Sequence, residues 1–186
     1  MCFECSSDFN ELTLNPNSEK EIFTHSKTSS SLWSLQTDLM KLYHINNSTP
    51  ALLSDKISLL DSLANNLPEF VNLKSNQYIS ISTDDVDFIL LNYDQLYQNL
   101  NQSSQFLDIL DIIFLTDFNF TSIETEIINR NNLTVGEKEL LLLIAYNSYE
   151  NGDISWKKRK GISIIHGYNL SKANAVFNAA LFSLLD

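Results

Sequence analysis

Three groups of residues in this 186-residue chain have types and spacings that could do chemistry. The first is the pair Cys2 and Cys5, a C-x-x-C at the start of the sequence and the only cysteines present. A redox pair of that spacing works at a helix N-terminus behind a strand, where the dipole lowers the thiol pKa; no βαβ pattern follows here. A zinc site would need two further ligands, and His25, His44 and His166 stand at no compact zinc spacing. The second group is a set of carboxylates, Asp84, Asp85 and Asp87, with Asp108 and Asp111 further on. No acid precedes a histidine by three, so the Glu-x-x-His pairs of di-metal bundles are absent. Asp84-Asp85-x-Asp87 also lacks the glycine and distal glutamate of a calcium loop. Neither a metal nor a cofactor is expected. The third group is the run Trp156-Lys-Lys-Arg-Lys160, four cations beside an aromatic ring.

Removal of Met1 would leave Cys2 with a free α-amine. In N-terminal-nucleophile hydrolases such an amine serves as base for its own side chain, on a framework of two stacked sheets; this sequence has no such strands. The four glycines, Gly136, Gly152, Gly161 and Gly167, compose neither a P-loop nor a dinucleotide fingerprint, and no G-x-S-x-G occurs. The catalytic reading has no anchor, and the protein is expected not to be an enzyme. The two thiols then read as reduced side chains in an N-terminal arm, residues 1–28, broken by Asn15-Pro16-Asn17.

The elements that would position the remaining groups are helical. Four glycines and three prolines are few for a protein built on turns and sheets. The expected object is an all-α fold, a single compact helical domain over residues 29–186 with about seven or eight helices. Leu32, Leu35, Leu39, Leu42 and Tyr43 form one face of a helix from Ser30 to Ile45. Thr49 and Pro50 open a second helix, with Pro68 ending it. Residues 69–82 are expected to be an extended connector, in which Tyr78 to Ser82 alternate like a strand. Thr83 caps a helix to Leu100 with a stripe of Val86, Leu90, Tyr93, Tyr97 and Leu100; its first-turn acids suit the dipole. Ser104 to Phe118, apolar on most sides, has the profile of a central helix. Thr121-Ser-Ile-Glu124 and Thr134-Val-Gly-Glu137 fit the capping box and open helices over 122–131 and 135–150, with Asn151-Gly152 as a stop. A basic segment over 155–166 leads into a turn at His166 to Asn169, and Ser171 caps the last helix.

Charge narrows the function. The net charge is −11. Residues 1–156 hold 22 acids against 7 bases, a net of −15, while residues 157–186 carry a net of +4. Between Lys74 and Arg130 stand nine acids and no base. Such a field repels nucleic acid and anionic membrane and steers basic partners. No apolar run approaches the roughly 18 residues of a membrane span, no secretory signal pattern opens the sequence, and the expected address is cytoplasmic. The expectation is an acidic, non-catalytic interaction protein, most concretely an immunity or antitoxin-type inhibitor that occludes a basic, nuclease-like toxin. Its contact residues would be Asp84, Asp85, Asp87, Asp94, Asp108 and Asp111, with Tyr97 as an aromatic anchor. The alternative is a regulatory protein whose C-terminal third reads as helix-turn-helix, with Lys172, Asn174 and Asn178 on the last helix and the basic run contacting nucleic acid or an acidic partner. The run could also be solvated, or pair with acidic helices of the same molecule or a second copy.

Overall fold

The computed structural model describes residues 31–46, 50–74, 78–149 and 152–185. The expected arm with Cys2, Cys5 and His25, the cap at Thr49 and the stop at Asn151 lie outside the described residues. Among the described residues the chain is all-α, with nine helices and no strand: α1 (Leu32–Ile45), α2 (Leu53–Ala64), α3 (Pro68–Leu73), α4 (Thr83–Gln98), α5 (Ser104–Leu115), α6 (Phe120–Asn129), α7 (Val135–Tyr146), α8 (Ile154–Leu170) and α9 (Lys172–Ser183).

Local chemistry sets most of the boundaries. Ser31, Ser103, Thr134 and Ser171 each accept a backbone N–H of the following first turn, which satisfies one of the donors a helix start leaves open. Thr134 and Glu137 make the reciprocal capping box expected of them. Three starts differ from expectation. Ser82 caps α4 rather than Thr83, because Ser82 and Asp85 form the capping box themselves. Asn119 caps α6, so Thr121 lies inside the first turn and its T-x-x-E pattern is not a box. Pro50 stands ahead of α2, whose N-cap is Leu52. Pro68 does not stop α2, which ends at Ala64 with Asn65 as its C-cap; it begins α3 as the N1 residue, where its missing N–H costs nothing. The connector expected over 69–82 is helical in its first part, which belongs to α3; residues 78–82 are extended, with Ile81 turned into the core.

The largest correction concerns the C-terminal third. The stretch expected to be a basic segment and then a turn is one continuous helix, α8, running through His166 and Gly167. Ser171 alone separates it from α9, and the two pack along each other as a hairpin. Gly167 is what lets them close: a Cβ there would stand 2.6 Å from the carbonyl oxygen of Asn174 on α9. Gly161 answers the same need against the ring of Phe114 on α5. The central helix is α9, not α5. Its residues from Ala173 to Phe182 are all buried, and α1, α2, α3, α7 and α8 surround it. Helix α5 lies on α7 and α8 with Asp108, Asp111 and Leu115 exposed. Helix α4 rests mainly on α8 and commits only Val86 and Ile89 fully to the core. No helix among the described residues is long and apolar enough to cross a membrane.

Candidate functional site

The basic run is folded inward. Lys157 and Lys160 are 2 % and 6 % exposed. A buried ammonium is costly unless it finds partners, and Lys157 Nζ donates to the Thr116 carbonyl at 3.1 Å, stands 4.0 Å from Asp117 Oδ1 and lies 5.6 Å from the Phe118 ring centroid. Lys158 Nζ pairs with Asp94 Oδ1 at 3.0 Å and sits 5.1 Å from the Tyr97 ring. The Arg159 guanidinium covers the Tyr93 ring at 4.6 Å. Of the readings open for this run, pairing with acidic helices of the same molecule is the one the structure bears out. The helix-turn-helix reading fails on burial, because Asn174 and Asn178 are each 2 % exposed and cannot enter a groove. Lys172 is on the surface and pairs with Glu139 at 2.5 Å.

The seven residues expected to contact a partner divide into three sets. Asp85 is taken up by the cap: its Oδ2 accepts the Ser82 hydroxyl at 2.7 Å and the Ser82 N–H at 3.3 Å. Asp94 pairs with Lys158, and the Tyr97 hydroxyl donates to Asp111 Oδ1, tying the end of α4 to α5. Burial, that hydrogen bond and the nearby carboxylate charge push the Tyr97 phenol well above its ordinary pKa. Asp84, Asp87 and Asp108 are exposed and make no hydrogen bond or ion pair among the described residues. The seven do not form one cluster. Asp87 is separated from Tyr97 by about 15 Å of helix rise, so the acids at the start of α4 and the Tyr97–Asp111 pair are two places.

Beside Asp84 and Asp87 the structure places two side chains that the sequence reading passed over. Phe88 is 55 % exposed and Leu91 is 82 % exposed. Positions 84, 87, 88 and 91 follow i, i+3, i+4, i+7 and share the face of α4 opposite Val86 and Ile89. Helix α4 therefore carries two apolar stripes, one against α8 and one outward. The signal was present in the sequence, since Phe88 and Leu91 fall on no common face with Val86 and Tyr93, but one stripe was enough to account for the helix.

Among the described residues no three His, Cys, Asp or Glu side chains come together as a metal site. His44 and His166 are both exposed and far apart in the sequence. Comparison with protein-family models, with characterised proteins and with solved structures finds no match.

Proposed function

We propose that this protein is a non-catalytic interaction module that captures a basic protein through the outward face of α4, most concretely an inhibitor that occludes a nuclease-like toxin domain. The observation that carries the reading is the exposed pair Phe88 and Leu91 framed by Asp84 and Asp87, two carboxylates without a partner among the described residues. Interfaces concentrate affinity in a few apolar and aromatic anchors, and a charged frame supplies register and fast encounter. The overall charge of −11 adds long-range attraction for a partner whose function requires a cationic cleft. The alternative use of the basic run is weakened by its location, since Lys157 and Lys160 are buried and Lys158 and Arg159 face α4.

The test is inhibition. The purified protein is mixed with a panel of basic nuclease domains, and nucleic-acid cleavage is followed. The proposal requires stoichiometric inhibition, relieved by raised salt and by Phe88→Ala with Leu91→Ala. Inhibition untouched by those two substitutions would remove α4 from the reading. Turnover of a substrate by the purified protein alone would remove the non-catalytic class.

A further inference from the structure

A cavity of about 160 Å³ lies where the connector 78–82, the start of α4 and the α8–α9 hairpin meet. Two asparagines of α9, Asn174 and Asn178, line it, each 2 % exposed. Both of their amide groups donate elsewhere. Asn174 Nδ2 gives its hydrogen to the Ile79 carbonyl at 2.7 Å, and its Oδ1 accepts from the Ser171 hydroxyl at 2.6 Å. Asn178 Nδ2 donates to the Ser163 carbonyl at 2.8 Å. That bond fixes which way the Asn178 amide points, because the flipped amide would set oxygen against oxygen. Asn178 Oδ1 is left as a buried acceptor with no hydrogen-bond partner among the described residues, a condition proteins rarely leave uncompensated.

The rest of the wall fits the same kind of occupant. Asp85 lines the cavity; its Oδ2 is held by Ser82, and its Oδ1 accepts no hydrogen bond among the described residues, with Asp84 and Asp87 beside it on α4. Ile79 and Leu170 also line it and are 73 % and 42 % exposed, which provides apolar surface for an aliphatic stem. His166 closes the side shared with a larger cavity under Leu96 and Leu100. A buried acceptor without a partner on a residue of the wall, one carboxylate oxygen left open by the cap and aliphatic groups at the exposed edge together call for an N–H cation carried on an alkyl chain.

We infer that this cavity receives one arginine or lysine side chain of the basic partner, its cationic head turned toward Asn178 Oδ1 and Asp85 and its stem against Ile79 and Leu170. This rests on the proposed function for the source of the side chain. The test uses no partner protein, so the two readings fail separately. The full chain, labelled with ¹⁵N, is titrated with N-acetyl-arginine-N-methylamide, with the lysine counterpart and with the neutral citrulline counterpart. The Asn178 side-chain amide and the backbone amides of Ile79 and Ser80 are followed by NMR. At least one cationic probe shifts these signals saturably in the millimolar range, and the citrulline probe at equal concentration does not. Ile79→Trp, a change at an exposed position, covers the mouth and abolishes the shift while leaving the fold intact by circular dichroism. The inference is overturned by absence of a saturable shift with both cations, by an equal response to citrulline, or by shifts confined to Asp84 and Asp87. Failure here with inhibition still sensitive to Phe88 and Leu91 sinks the cavity alone; shifts without inhibition of any nuclease leave the cavity standing.

Discussion

At the scale of single residues, the excess of acids over bases has a chemical consequence. With 23 acids and 12 Lys and Arg, carboxylates outnumber cationic partners, and tyrosine hydroxyls serve as further donors, at Glu139 alongside Lys172. Tyr78 donates to Asp61 at 2.5 Å, Tyr97 to Asp111, and Tyr168 to Glu139 at 3.4 Å. Each such bond exists only while the phenol keeps its proton. Burial, the Glu139 charge and the hydrogen bond to it raise the Tyr168 phenol from 10.0 to about 12, and Tyr78 and Tyr97 are raised for the same reasons. The folded chain therefore holds protons that the unfolded chain has released above pH 10. The stabilisation is complete below that pH and is lost as pH climbs through the folded values. Thermal melts between pH 10 and 12 are expected to show a falling midpoint, and Tyr168→Phe a shallower fall over that window. A midpoint that holds steady to pH 12 would contradict the assignment. Glu137 works in the opposite direction. Its hydrogen bonds to Ser103 and Thr134 lower its pKa below 4.5, so its contribution is present at neutral pH and disappears as pH falls through the folded value.

At the scale of elements, what the sequence made legible was periodicity and capping. Leu32, Leu35, Leu39 and Tyr43 are all buried along α1, and the Thr134–Glu137 box and the Ser171 cap stand where their spacing put them. Glycine and proline were less legible because each has two uses. Pro68 was equally suited to ending a helix and to beginning one. Gly167 read as a turn because a lone glycine is a local breaker, whereas its use is close approach of two helices, which only the tertiary arrangement reveals. The candidate site was half legible: Asp84 and Asp87 stand where a partner could reach them, but whether Asp94 and Asp111 would be paired depended on the fold of α8 and α5. Gly167→Ala is expected to lower stability by about 1–3 kcal/mol, since the obstructing atoms belong to the α9 backbone and cannot swing away. Gly152→Ala, with nothing within 4 Å, serves as control. Urea denaturation distinguishes the two, and equal effects would remove the close-approach account. Helix α4 invites a second measurement. It is held to α8 by two buried apolar side chains, an ion pair and two cations over rings, so its amides belong to the weakly protected end of the molecule. Arg159→Gln removes the cation over Tyr93, an interaction on the order of 0.5–2 kcal/mol. Hydrogen exchange over Thr83–Gln98 is then expected to quicken several-fold while α9 is unchanged. Uniform acceleration would mean that α4 opens only with the whole domain.

At the scale of the molecule, the charge asymmetry of the sequence turns out to be internal. The cations of residues 157–160 lie against α4, the α5–α6 link and the interior, so they organise the fold instead of presenting a basic face. A general field and a specific docking face make different predictions, because a field steers any basic protein while a face also holds it. Asp84→Lys with Asp87→Lys and, separately, Asp55→Lys with Glu69→Lys on α2 and α3 each change the net charge from −11 to −7. All four side chains are exposed, and none is engaged in the core. If only the field matters, both pairs slow association with a basic partner alike and leave the dissociation rate near the parent value. If α4 docks, the first pair alone raises the dissociation rate, by at least tenfold for a loss of about 1.4 kcal/mol. Phe88→Ala with Leu91→Ala then raises it further without altering the salt dependence, since apolar anchors act after encounter. Surface plasmon resonance on the parent and the three variants at two ionic strengths separates these cases. Equal dissociation rates for the two charge-reversed pairs would leave the acidity a long-range property and would take the interface away from α4.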